Sequence, residues 1–314
     1  MFWDKIPTRL KPWLITILTA WLSMLLPWSV NASDIDKNQI RNIGDNKYPQ
    51  RIIALAPHVV EQLHDIGAYS LLVATVEHAD HPSKAKQLPR VGNYAKLNIE
   101  KILLLQPDLV IAWHSQGLAN DLQTLSEYGI NVVYSNPRTL SDISKELRWL
   151  GELTGYQQQA NVRANAFDAK LEQIKKRYQH KPPIRVFYEL WPQPLTTIAG
   201  NAWSQQQLTI CGAENPFAQL DSDYPQISLE NVVKANPQVI IQPLSSGQNV
   251  NSQTLSNQTD WQPFAVIDAV RHQQIVRPNS DRLHRMSVRL LDELALLCQQ
   301  LDTARGFYQS RRVR

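Results

Sequence analysis

The chain has 314 residues, 43% of them hydrophobic and 19% charged, with a formal net charge of +4. Lys5, Arg9, Lys11 and Asp4 are the only charges in the first 32 residues, so the remaining 282 (314 − 32) carry +2 (4 − 3 + 1). A near-neutral body argues against nucleic acid as a partner, and its length supports two domains, each with its own core.

Residues 1–32 read as a secretory signal peptide. Lys5, Arg9 and Lys11 form a basic n-region, Trp13 to Leu26 an apolar run shorter than a membrane span, and Val30-Asn31-Ala32 a small-residue cleavage site. No cysteine directly follows the apolar run to take a lipid anchor, so the product is expected free in a periplasm or outside the cell, with an uncleaved membrane anchor as the alternative. Residues 33–48 are a polar, flexible lead-in. RIIALAP then gives a buried strand, Ile52–Leu55, stopped by Pro57. Val59 to Ile66 reads as a helix closed by Gly67, and Leu71 to Val76 as a second strand. The loop Glu77–Pro82 and the segment Val91–Tyr94 follow. Next comes LNIEKILLLQPDLVIAW, Leu97 to Trp113. Asn98 caps a short helix with Ile99, Ile102 and Leu103 apolar, Pro107 ends it, and Leu109–Ala112 is a buried parallel strand. Leu118 to Tyr128 is a helix closed by Gly129, and Ile130 to Tyr134 another strand. This alternation marks an open α/β sheet and assigns residues 49–140 to an N-terminal lobe.

Residues 141–180 read as linking helices. Ser141 is expected to cap a helix through Leu153, closed by Gly155. Gln157 to Gln179 contains no Gly or Pro, and Phe167, Leu171, Ile174 and Tyr178 make one apolar stripe. It reads as a rigid spine between the lobes. The C-terminal lobe, 181–314, restarts as the first did, with RVFYELWP echoing RIIALAP. Gln205 to Cys211 is a helix closed by Gly212. ISLENVVKANPQVIIQP, Ile227 to Pro243, repeats the earlier unit 130 positions on: Ser228 for Asn98, Glu230 for Glu100, Pro237 for Pro107. So long a period indicates two similar lobes, not a solenoid. Residues 244–260 form a polar loop, Ile275-Val276 leads into the loop Pro278–Arg285, and a closing helix runs from Ser287 to Leu301. The fold class is α/β: two Rossmann-like lobes joined by one long α-helix, with a ligand cleft between the lobes.

No G-x-G-x-x-G, P-loop, G-x-S-x-G, H-E-x-x-H or C-x-x-C pattern occurs, and 11 glycines leave little room for a phosphate-cradling loop. Binding without bond chemistry is expected. The competing class is a secreted enzyme on a two-lobed scaffold, for which two cysteines are too few to hold an iron–sulfur cluster. Aromatics and histidines gather at the carboxyl ends of strands, where open α/β sheets bind ligands: His58, His78 and His81, Trp113 and His114, and Trp191. Tyr94 and Tyr224 precede the two repeated helices. Such faces suit a large, partly apolar, planar ligand, although core packing is the alternative for any one tryptophan and is expected for Trp149 and Trp261. The loop histidines, His284 included, are either metal ligands or hydrogen-bonding surface residues. Glu100 and Glu230 sit in first helical turns, which favour a carboxylate. They also stand at the same corner of each lobe and suit a partner with two matched basic sites, such as a symmetric dimer. Cys211 and Cys298 read as a disulfide in an oxidising compartment, or as two buried thiols.

Several segments together resemble a known class: RIIALAP with Glu61 four residues after Pro57, the HADHP loop, PRVGNYAKLNIEKILLLQPDLVIAW, CGAENPF and YPQISLENVV. The chain resembles the periplasmic binding proteins with two lobes joined by one helix, which serve ABC importers of siderophores, haem and cobalamin. It is most similar to the cobalamin-binding branch. The resemblance implies that Tyr94, Trp113 and Tyr224 surround a corrin ring, that Glu100 and Glu230 dock on arginines of two permease subunits, and that Cys211 and Cys298 form a disulfide. It also implies cobalamin as ligand, no resident cofactor or metal, and a monomer when free. His78 stands where known members carry a tyrosine, and Tyr94 and Tyr224 where they carry tryptophans. The full set read as ligand-binding is His58, His78, Tyr94, Trp113, Trp191, Tyr224, and Asp281 and Arg282 of the loop before the closing helix. A haem or iron-siderophore receptor of the same class is the alternative.

Overall fold

The apolar run of RIIALAP becomes strand β1 (Ile52–Ala54), buried on both faces: Ile52 and Ala54 enter one core cluster and Ile53 another. The structure, a computed structural model, describes residues 47–113, 116–245 and 258–312. The signal peptide, nearly all of the lead-in, His114 and most of the 244–260 loop lie outside the described residues. Pro57 both ends the β1 segment and occupies the first position of helix α1 (Pro57–Asp65), where a missing N–H leaves nothing unsatisfied. The helix therefore begins two residues before the expected Val59. Gly67 follows its end at φ +89°. Strand β2 (Leu72–Thr75) comes next. The repeated unit follows as α2 (Ile99–Leu104) and β3 (Leu109–Trp113), with Asn98 Oδ1 accepting from Lys101 N at 2.9 Å. Helix α3 (Ala119–Glu127) and strand β4 (Val132–Ser135) complete a parallel sheet of order β2-β1-β3-β4.

Helix α4 (Leu140–Thr154) is capped by Thr139, not by the expected Ser141. Thr139 and Asp142 form a capping box, with Thr139 N donating to Asp142 Oδ2 at 2.8 Å, which leaves Ser141 inside the first turn. Helix α5 (Gln157–Tyr178) has 22 residues and is about 33 Å long. Its stripe of Phe167, Leu171, Ile174 and Tyr178 is buried, as its spacing implies.

Strand β5 (Ile184–Tyr188) opens the second sheet, followed by a small antiparallel hairpin, β6 (Trp191–Pro192) and β7 (Leu195–Thr196). Helix α6 (Trp203–Ile210) leads to β8 (Ala213–Glu214). The second copy of the unit is α7 (Leu229–Ala235) and β9 (Val239–Ile241), with Ser228 Oγ accepting from Asn231 N. Helix α8 (Asp268–Arg271), strand β10 (Ile275–Val276), helix α9 (Ser280–Leu283) and helix α10 (Leu290–Arg312) close the chain. The second sheet is parallel, of order β10-β9-β5-β8. Matching β1 with β5, β2 with β8, β3 with β9 and β4 with β10 gives one strand order for both lobes, so the repeat extends from sequence to topology.

Helix α10 passes the expected end at Leu301 because its buried side continues beyond the leucines. Ala304 is buried, and Arg305 donates to Pro182 O at 2.5 Å and Cys211 O at 2.9 Å. Tyr308 Oη donates to Gln238 O at 2.9 Å. Cys211, just after α6, is disulfide-bonded to Cys298 on α10, and both are fully buried. Trp261 is buried and Trp149 packs against the core, as expected. One core cluster runs from β1 and α1 through α4 and α5 to β5, α6 and α10, so the inner faces of both sheets share it. Each outer face has its own smaller cluster.

Candidate functional site

In a parallel sheet every strand delivers its carboxyl end to one edge, the usual site of ligand binding. Buried polar groups tie these edges together. Helix α1 starts at the edge of the first sheet, and Glu61, one turn in, is fully buried. It accepts from Arg285 Nη1 at 3.0 Å, Arg289 Nε at 3.0 Å and Ser287 Oγ at 2.5 Å, all on the segment between α9 and α10 that leaves the edge of the second sheet. Beside it Gln62 Nε2 donates to Met286 O at 2.7 Å and Glu146 Oε2 at 2.6 Å. Glu61 is the buried charge of this cluster, and without Arg285 and Arg289 it would be stranded. No role was read for Glu61 from the sequence. The available signal was a carboxylate inside the apolar pattern of Val59, Val60 and Leu63.

Trp113 ends β3 and is partly exposed. His58 lies edge-on to it, ring centroids 5.7 Å apart. His58 itself is buried and bonded through Nε2 to Ser135 Oγ at 2.6 Å, so it sits beneath Trp113 and not on the cleft surface that its position after β1 suggested. His78 is exposed with φ +65°, and Arg285 Nη2 donates to its carbonyl at 3.0 Å. In the other lobe, Trp191 pairs with Thr196 across the hairpin and Thr196 bridges to Gln226. Trp191 and Tyr224 therefore lie on segments that flank Thr196, which is buried. Both rings are exposed. Asp281 lies 3.9 Å from Arg285, and Arg282 is exposed. Tyr94 is the most isolated of the set, 83% exposed. Tyr134, on the outward side of the β3–β4 pair, is a further exposed aromatic that the sequence reading passed over. Glu100 and Glu230 are exposed in the first turns of α2 and α7.

His284 is buried, which holds its imidazole at about 4, and its Nε2 is hydrogen-bonded to Tyr188 Oη at 2.7 Å. Among the described residues no group of three or more His, Cys, Asp or Glu side chains is placed to hold a metal.

Beneath Trp113 burial also pushes the Glu146 carboxyl from 4.5 to about 7 and the His58 imidazole from 6.5 to about 4. The two lie 3.9 Å apart. Glu146, with a raised folded value, supports the fold fully below pH 4.5 and loses that support as pH rises to about 7. His58, with a lowered value, contributes above pH 6.5 and loses its contribution as pH falls towards 4. Over the shared window the two slopes oppose each other. Glu146→Gln removes only one of them. Relative to the unaltered protein, the variant should gain about 2–3 kcal/mol in stability between pH 4.5 and pH 7, as read from urea unfolding at both values. A pH-independent difference would contradict this assignment.

The sequence model of the family described as Periplasmic binding protein matches residues 52–281. The Vitamin B12-binding protein of Vibrio campbellii is 34% identical over 257 residues, covering 82% of this chain and 90% of that relative. The crystal structure of the periplasmic vitamin B12 binding protein BtuF of Vibrio cholerae matches with a TM-score of 0.73 and 33% identity, covering 82% of this chain and 98% of that one. The periplasmic heme-binding protein RhuT from Roseiflexus sp. RS-1, in apo form, matches with a TM-score of 0.70 over 81% of this chain and 98% of that one, but at 21% identity, a likeness of fold alone. With two sheets of one strand order and a family match over residues 52–281, the chain belongs to the periplasmic binding protein family.

Proposed function

We infer that this protein is a periplasmic receptor that captures cobalamin between its lobes and delivers it to the membrane permease dimer of an ABC importer. It works by binding, without bond chemistry. The observation that carries this reading is the similarity to vitamin B12-binding proteins along both lobes, at an identity that the haem-binding relative does not approach. Exposed aromatics at both sheet edges support it, since a corrin offers broad apolar faces. In this reading His78, Tyr94 and Trp113 contact the ligand from one lobe, and Trp191, Tyr224, Asp281 and Arg282 from the other. His58 acts from below, by supporting Trp113. Glu100 and Glu230 dock on basic residues of the two permease subunits. Residues 1–32 are removed on export, 49–140 and 181–314 form the lobes with 141–180 between them, and the free protein is a monomer.

The test is direct. Purified protein is mixed with cyanocobalamin or with haem, unbound ligand is removed, and the visible spectrum is read. One cobalamin per monomer is expected, and retention of haem alone would assign the haem reading instead. Trp113→Ala should weaken cobalamin binding by about 1–3 kcal/mol, the range for truncating a buried aromatic at an interface. Titration calorimetry checks this, and an unchanged affinity would remove Trp113 from the ligand contacts.

A further inference from the structure

Tyr94 differs from the other exposed aromatics in what holds it. Trp113 has His58 beneath it. Tyr224 lies in a segment paired with 195–199, through Ile227 N to Leu195 O, Thr197 N to Pro225 O and Ala199 N to Asp223 O. Tyr94 is 83% exposed, so its ring has almost no packing partner in its own lobe, and what the fold fixes is the backbone from which the ring projects.

That backbone is a closed turn. Gly92 and Leu97 pair across it, and at its base Asn98 N donates to Val91 O at 2.8 Å. Inside it Asn93 N donates to Lys96 O at 3.0 Å, while Asn93 Oδ1 accepts from Ala95 N at 2.9 Å and Lys96 N at 3.2 Å. A side-chain amide capping two N–H groups in this way fixes a turn locally. The turn is also tied outward, by Glu77 N to Gly92 O at 3.0 Å and Leu97 N to Asp121 Oδ2 at 2.8 Å. Gly92 has φ +141°, and a Cβ there would stand 2.3 Å from Lys96 O and 2.8 Å from Leu97 Cα. Only glycine lets the turn close.

We propose that Gly92 and Asn93 are positioning residues for ligand capture. They hold Tyr94 in place at the cleft mouth, so that its ring meets the ligand without a loop having to be ordered first. The proposal rests on the reading that Tyr94 touches the ligand. Neither Gly92 nor Asn93 need touch it.

The experiment measures cyanocobalamin affinity for Asn93→Ala and Gly92→Ala, each in the unaltered and the Tyr94→Ala background, together with amide exchange at Ala95 and Lys96. Asn93→Ala adds no atom and carries the test if Gly92→Ala does not fold. Each variant is expected to lose affinity roughly three- to tenfold, the cost of ordering one contact residue on binding. Exchange at Ala95 and Lys96 should quicken. In the Tyr94→Ala background neither variant should lose anything further, because both act through the missing ring. Full affinity in Asn93→Ala, unchanged exchange, or a loss that persists without the tyrosine ring would each overturn the proposal. If Tyr94→Ala alone leaves affinity intact while cobalamin still binds, the contact assigned to Tyr94 fails and the proposal with it. If no cobalamin binds to the unaltered protein, it is the function that is wrong.

Discussion

Reversing Glu100 and Glu230 to lysine together is expected to abolish cobalamin uptake in cells, while the purified double mutant keeps its cobalamin affinity to within about twofold. The two carboxylates occupy the same place in each copy of the repeated unit, two residues after the capping Asn98 or Ser228, and both are exposed. If they serve only their own helices, each contributes a few tenths to about 1 kcal/mol of stability and nothing to transport. Helices α2 and α7 are short, and their capping side chains would remain. A docking role makes a different demand. Each carboxylate then faces a basic group of one permease subunit, and reversal sets like charges against each other at both corners, at a cost of several kcal/mol. Normal uptake by the double mutant, at normal protein levels, would leave both residues as helix-end carboxylates.

Replacing Cys211 and Cys298 by serine is expected to cost about 4–5 kcal/mol of stability, the chain-entropy value for a closed loop of this size. The bridge spans 87 positions of sequence. Its loss should act mainly on the unfolded chain, because a second tie keeps the same elements together when folded: Arg305 on α10 donates to Cys211 O at 2.9 Å and Gly212 O at 3.2 Å. The native arrangement of α6 and α10 should therefore survive the substitution while its margin falls. Urea unfolding of the two forms reads the difference, and titration of the denatured, unreduced protein should find no thiol. A loss below about 1 kcal/mol would show that Arg305 and the surrounding core suffice.

What was legible in the sequence is what local pattern encodes. Short apolar runs such as Ile52–Ala54 and Val239–Ile241, next to prolines, read as buried strands, and the copies of the unit 130 residues apart announce two like lobes. The α5 stripe could be read from its spacing. What stayed hidden depends on partners far along the chain. Glu61 looks like any helical glutamate until Arg285 and Arg289, more than two hundred residues away, are seen to close on it. Arg305 hid the true extent of α10, because a buried guanidinium does not register as part of an apolar stripe. His58 shows the same limit from the other side. Its place after β1 puts it at the binding edge, but only the packing of Trp113 over it decides that it lies below the surface. Trp113 and Trp191 stand at strand ends, which can be inferred from sequence, and Tyr224 precedes a repeated helix. That Trp191 and Tyr224 flank the same buried Thr196 is not legible there, because it depends on a cross-strand register.

The core that runs without a break from β1 to α10 limits what could be done with this molecule. By strand order it is a duplication, and a duplication invites excision of one half as a minimal binder. Ile52, Val60 and Leu150 belong to the same buried cluster as Ile184, Leu208 and Leu297. A cut through the middle would bare that apolar surface on both pieces and leave the Glu61 carboxylate without its arginines. Neither half has the means to cover what it would expose, so the lobes are separable as a pattern but not as proteins.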